Sequence, residues 1–234
     1  MCGRYTLSTP AELIAEYFEL DTVPTGLAPR YNIAPSQPVP VIRQIDHHRH
    51  LDSLRWGLVP SWAKDPKVGY KMINARAETV AEKPSFRTAF KHRRCMVIAD
   101  GFYEWKSTSS GKQPYWIGLP DRELMAFAGL WEHWTDKITG EQIESCTIIV
   151  TQANNQMSTL HERMPVILHK KDYGLWLDPD LHTAEPLQSL LTPYSGMMMT
   201  YPVSREVNSP KNDDEGLIAP VHQTAEGSQS ELTL

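Results

Sequence analysis

At 234 residues, with 41% hydrophobic and 22% charged residues, the chain has an ordinary globular composition, enough for one large domain or two small ones with a sizeable core. A formal net charge of -5 speaks against broad phosphate binding, which Lys and Arg normally supply, although the acids crowd toward the end (Asp213, Asp214, Glu215, Glu226, Glu231) and leave room for a basic groove mid-chain. The polar start MCGRYTLSTP, the lack of any membrane-length apolar run and three unpaired-looking cysteines, Cys2, Cys95 and Cys146, argue against a secretory signal, a membrane span, a disulfide framework and a thiolate zinc site, and fit a reducing cytoplasm.

In chain order, Thr9-Pro10-Ala11-Glu12 reads as a capping box ahead of Leu13, Ile14, Tyr17 and Phe18 at helical spacing, which predicts a short amphipathic helix. Val39 to Ile45 and Leu51 to Leu58 are strand-like runs about the polar stretch Asp46-His47-His48-Arg49-His50 and predict a hairpin. Met72 to Glu78 alternates small apolar residues with Asn74, Arg76 and Glu78 at strand period. Lys83-Pro84, with Phe86 and Phe90 four apart, predicts a helix feeding strands over Cys95 to Ala99 and Gly101 to Lys106. Ser107 to Gln113 turns into Tyr115 to Leu119. Further strands are expected at Leu124 to Leu130, Cys146 to Thr151, Val166 to Leu168 and Met197 to Val203, with short helices near Asn155 to Leu160, Lys170 to Leu177 and Glu185 to Leu191. No repeat and no regular strand-helix alternation occurs, so the expected class is α+β: one β-rich domain over residues 1–220. The Gln/Ser/Thr/Glu-rich residues 221–234 are expected to form a disordered tail.

Cys2 follows the initiator residue directly, and cysteine is small enough for Met1 to be removed. The mature chain would then open on a 1,2-aminothiol, whose amine (about 7.7 to 8) and thiol (about 8.5) both hold a useful nucleophilic fraction near neutrality. Such a pair traps aldehydes: the amine forms an imine, and the neighbouring thiol closes a five-membered thiazolidine with high effective molarity. The ring-opened sugar of an abasic DNA site is one of few macromolecular aldehydes. Gly3 permits close approach, and Arg4 places a cation suited to lowering the thiol pKa or holding a phosphate. The plainer alternative is an incidental cysteine at a frayed terminus.

Asn74, Arg76 and Glu78 would share one strand face, functional or merely solvated. Glu104, among Phe102, Tyr103 and Trp105, suits a proton shuttle, or else pairs with a cation at a sheet edge. His161 lies where a short helix gives way to an extended segment, as catalyst or as structural residue. Trp62 and Pro35 are loop residues able to stack on or wedge between bases, or simply to pack. His47, His48 and His50 share a turn without a partner spaced for metal closure and are read as solvent-facing, so no metal and no cofactor is expected. Cys95 and Cys146 sit in apolar runs and are expected to be buried and inert.

Taken together, MCGRY, YNIAPSQ, RWGLVPSWA, MINARAET, ADGFYEWK, IVTQAN, LHERMPVIL and PVSREVNSPKNDD resemble the SRAP (SOS-response-associated peptidase) family over nearly the whole chain up to about Pro220. The resemblance implies a monomeric domain with sheets forming an open barrel flanked by short helices, which cradles single-stranded DNA and links covalently to abasic sites. It implies that Cys2 is the nucleophile, that Asn74, Glu104 and His161 position groups and move protons, and that Arg4, Arg76 and Arg163 hold phosphates. Pro35 and Trp62 would block stacked continuation of the strand at the lesion, although Trp62 is followed by Ala63 rather than a second aromatic. Self-removal of Met1, crosslink reversal and a lyase side activity belong to the same expectation. Two other readings stay open: an N-terminal-nucleophile cysteine hydrolase, and a non-covalent single-strand binder.

Overall fold

A computed structural model of the protein describes residues 2–109 and 111–221. In its first half the strands are β1 (Tyr5–Leu7), β2 (Arg30–Ile33), β3 (Pro38–Ile45), β4 (His48–Trp56), β5 (Asn74–Arg76) and β6 (Arg94–Ala99), with helices α1 (Ala11–Phe18) and α2 (Arg87–His92). The second half adds β7 (Gly101–Thr108), β8 (Gly111–Gly118), β9 (Met125–Thr135), β10 (Gln142–Gln152), β11 (Arg163–Pro165), β12 (Ile167–Leu168) and β13 (Met199–Pro202), with α3 (Tyr173–Leu177) and α4 (Ala184–Ser189). The class is α+β and strand-dominated, as expected. No helix of the described residues is long and apolar enough to cross a membrane.

One sheet runs β13-β8-β7-β1-β2. In the other, β10-β4-β3-β6-β9 returns to β10, so this sheet closes into a five-stranded barrel where an open one was expected. Closure rests on β10, which is long enough to serve four neighbours. Along one edge it pairs with β9 and then β11, and along the other with β4 and then β5. The two sheets meet through aromatics packed edge to face, Tyr5 of β1 against Trp56 of β4 at 5.4 Å and against Phe127 of β9 at 6.2 Å. A second cluster, Tyr103, Trp116, Val203, Val207, Leu217 and Ile218, covers the opposite face of the five-stranded sheet, because successive β7 side chains alternate faces.

Trp116 explains two of the glycines. A Cβ at Gly101 would fall 2.3 Å from its indole, and one at Gly118 would fall 2.2 Å away, so only hydrogen leaves space for the ring. Gly101→Ala is therefore expected to lower stability by about 1–3 kcal/mol, measured as a shifted urea midpoint at unchanged slope.

Several sequence expectations are corrected by tertiary partners. The Thr9 capping box does not form: Pro10 holds the cap position without a side-chain bond, and Thr9 gives its N–H and hydroxyl to the buried carboxylate of Asp100, both at 3.1 Å. Asp100 also accepts from the Thr6 hydroxyl at 2.6 Å and from the Ser8 N–H at 2.6 Å, which ties the end of β1 to the β6–β7 corner. The hairpin turn is only Asp46-His47, with φ of 50° and 64°; two left-handed residues make the tight turn that matches strand twist, so β4 starts at His48 rather than Leu51. The strand expected over Met72 to Glu78 is only Asn74–Arg76, while β9 and β10 run longer than their apolar stretches. The helix expected near Asn155 to Leu160 is a single 3-10 turn, Met157–Thr159. At the expected domain end, Pro220 bridges Val203, whereas the expected tail lies, beyond Val221, outside the described residues.

Candidate functional site

Sheet register brings the predicted residues together. β1 pairs antiparallel with β7, Tyr5 opposite Phe102, and the Tyr103 N–H donates to the Arg4 carbonyl at 3.0 Å. Continued by two residues, that register sets Gly3 beside Glu104, which is 3% exposed. On the other side, the Asn74 amide donates to the Cys2 carbonyl at 2.9 Å. Asn74 is fixed by β5 lying parallel to β10, with Asn74 opposite Ile148 and Arg76 opposite Val150. Across β10, Gln152 pairs with Arg163 of β11, and half-buried His161 lies two residues earlier, at the same end of β10.

The thiol is not the readily ionised group its position suggested. Cys2 is fully buried, and burial, aided by the nearby charge of Glu104, pushes its thiol well above the ordinary value, only partly offset by the positive charge of the amino terminus and by a hydrogen bond from the Arg4 backbone. The Arg4 side chain does not perform the expected lowering. Its Nη1 donates to Asn32 Oδ1 at 2.7 Å and to the Val207 carbonyl at 2.8 Å, and its guanidinium carbon lies 5.9 Å from the Trp105 ring centre. The thiol therefore keeps its proton at neutral pH.

Two polar details bear on proton traffic. Asn74 Oδ1 is buried with no hydrogen-bond partner among the described residues, an acceptor in want of a donor. His161 Nδ1 accepts the Arg163 backbone N–H at 3.0 Å, so the neutral ring carries its proton on Nε2. Arg76 is exposed, whereas Arg163 pairs with Glu78 at 2.5 Å. Together with Gln152, Ala153, Ser158 and Glu162 they line a cleft of about 470 Å³.

Asn32 was missed by sequence reasoning, although a buried Asn between Tyr31 and Ile33 is its own signal. Its Nδ2 donates to the carbonyls of Val207, Ser209 and Asn212 at 3.3, 3.0 and 2.7 Å. Asp213 accepts the Tyr31 and Asn32 N–H groups at 2.5 and 2.9 Å. Segment 207–213 thus straps β2 and, through Asn32, holds Arg4. Pro35 and Trp62 lie in loops as expected. Pro35 is half-buried in a turn whose next residue, Ser36, has φ of 72°, the geometry of a type II turn; Trp62 is 62% exposed. His47, His48 and His50 face solvent, His48 bonding Asp21 at 2.9 Å. Cys95 and Cys146 are buried.

The family model described as SOS response associated peptidase (SRAP) matches residues 1–210. Abasic site processing protein YoqW of Bacillus subtilis (strain 168) is 48% identical over 222 residues, 93% of this chain and 99% of its own. Abasic site processing protein YedK of Escherichia coli (strain K12) is 33% identical over 94% of this chain and its full length. HMCES of Xenopus tropicalis, likewise named an abasic site processing protein, is 34% identical over 82% of this chain and 66% of its own. The crystal structure of a Bacteroides thetaiotaomicron protein superposes with a TM-score of 0.84 at 30% identity, covering 94% of this chain and all of that one. Matched by the family model over most of its length and by relatives of this identity along nearly all of it, the chain belongs to the SRAP family.

Proposed function

We propose that this protein processes abasic sites in single-stranded DNA, capturing the opened sugar as a thiazolidine on Cys2 once Met1 is gone. The observation that carries the reading is the setting of Cys2, its carbonyl held by Asn74 and its thiol beside Glu104, near an Arg-lined cleft. The names of the relatives support the substrate class.

The raised thiol dictates the order of events. With the sulfur protonated, the amine attacks first: it adds to the aldehyde carbon, and loss of one water leaves an imine. The S–H then adds across C=N, sulfur to carbon and proton to nitrogen, with no further group lost. Asn74 Oδ1 supplies an acceptor for an amine N–H, Glu104 carries the proton between amine and leaving hydroxyl, and His161 offers its Nε2–H to the opening sugar. Arg76 and Arg163 hold flanking phosphates, and Arg4, its guanidinium fixed by Asn32, Val207 and Asn208, adds its positive charge beside them, while Pro35 and Trp62 interrupt base stacking at the lesion. If the imine instead loses a C2′ proton, the 3′ phosphate departs and the strand is cut, which is the lyase branch that sulfur capture suppresses. The same features disfavour a cysteine hydrolase, which works through a thiolate; here both burial and a carboxylate oppose ionisation.

Wild-type protein mixed with a single-stranded abasic oligonucleotide is expected to give an adduct that survives denaturing electrophoresis. Its mass should equal the Met1-free chain plus oligonucleotide less one water. Failure of the wild type to form it ends this reading.

A further inference from the structure

The stretch from Arg55 to Ile73 has, beyond Trp62, a charge and an aromatic surface that the lesion chemistry does not use. It holds four cations, Arg55, Lys64, Lys67 and Lys71, against one acid, Asp65, in a chain of 23 basic and 28 acidic residues. Asp65 is already engaged, accepting the Lys67 N–H at 2.8 Å to cap the 3-10 turn Pro66–Lys71. Trp62 and Tyr70 are the two large aromatics standing out from the described surface, 62% and 59% exposed. The Arg55 guanidinium lies 5.1 Å from the Tyr70 ring centre, so a cation backs one face of the ring and the rest meets solvent. Beside Trp62, Lys64, Lys67 and Lys71 line a cleft of about 390 Å³ together with Asp65.

The patch is also rigidly placed. Gly57 has φ of 128°, and a Cβ there would fall 2.6 Å from the Gly69 carbonyl, so two bare backbones press this turn onto the end of β4. Asn74 lies three positions after Lys71, a reach of at most about 11 Å at the extended limit. The patch therefore adjoins the Cys2 site.

We infer that Tyr70, with Lys64, Lys67 and Lys71, forms a second single-strand platform that takes the nucleotides continuing past Trp62: one base stacks on the free face of Tyr70 while the lysines pair with backbone phosphates. This rests on the abasic-site reading and deepens it, because it gives the overall acidic chain a local path for single-stranded nucleic acid. Aromatic faces set between cations are the recurrent means of sequence-tolerant single-strand binding. An apolar protein partner fits less well, because three lysines line the cleft beside Trp62.

The test uses full-length protein and undamaged oligothymidines of about 6 and about 14 nucleotides, spanning common single-strand site sizes, read by fluorescence anisotropy. Wild type should gain affinity with length. Tyr70→Ala should lose about five-fold or more on the long oligonucleotide, one stacked base's worth, and Tyr70→Phe should restore it. Lys67→Gln with Lys71→Gln should lower the slope of log affinity against log salt by about 1.4, at ~0.7 per phosphate contact on single strands. Equal length dependence in wild type and Tyr70→Ala, or an unchanged salt slope, would overturn the platform. The abasic reading is tested separately by wild type on a short abasic oligonucleotide: an adduct there without any gain from length removes the platform alone, and no adduct at all removes the parent reading.

Discussion

Cys2→Ala is expected to give no adduct that survives denaturing electrophoresis, yet to yield one when borohydride is present. Alanine is as acceptable as cysteine for removal of Met1, so the variant keeps the α-amine and the imine step. What it lacks is the sulfur that closes the ring. Intramolecular capture carries effective molarities of about 10⁵–10⁸ M, and without it the imine equilibrates with water or eliminates, so strand cleavage should exceed that of wild type. The substitution removes one buried sulfur and leaves the Asn74 bond to the residue-2 carbonyl intact, so the fold should persist; anisotropy on undamaged oligonucleotide verifies binding, and intact mass verifies loss of Met1. A borohydride-independent adduct in Cys2→Ala would assign the nucleophile to another residue and refute the thiazolidine.

How much of this was written in the chain depends on whether the deciding partner is near or far in sequence. The apolar runs at Val39 to Ile45 and Cys95 to Ala99 fall in strands β3 and β6, because period and β-branching are local. Thr9 misled because its claimant, Asp100, lies 91 residues away. The Asp46-His47 turn was hidden because neither residue is the glycine that usually marks a left-handed pair. At the site, Asn74, Glu104 and His161 were recognisable by resemblance but not by spacing: they occupy separate elements, and only pairing of β1 with β7 and of β5 and β11 with β10 gathers them. The thiol's protonation state was illegible for the same reason, since the sequence reveals a neighbouring Arg4 but not that its side chain is committed to Asn32 and Val207.

Raising the pH should destabilise this protein steeply, and the slope reports on Cys2. Cys2, Cys95 and Cys146 are all buried, and burial is the largest cause pushing each thiol far above its ordinary 9.0. In the unfolded chain these thiols ionise near that ordinary value, while in the folded chain they keep their protons. Above about pH 9 the unfolded state therefore binds fewer protons, and stability falls as pH rises; below it, the full contribution is present. Each thiol adds about 1.4 kcal/mol per pH unit, so three remove about 4 kcal/mol per unit, a large share of the roughly 5–15 kcal/mol that holds a domain together. Urea midpoints taken from about pH 7 to pH 10 should be flat and then drop. Cys146→Ala should make the alkaline limb shallower, and so should Cys2→Ala, on top of a share from the buried Tyr5, Tyr103 and Tyr173 hydroxyls that grows toward pH 10. An unchanged limb in Cys2→Ala would mean that its thiol ionises in the folded protein as readily as in the unfolded one, and the requirement that the amine attack first would go with it.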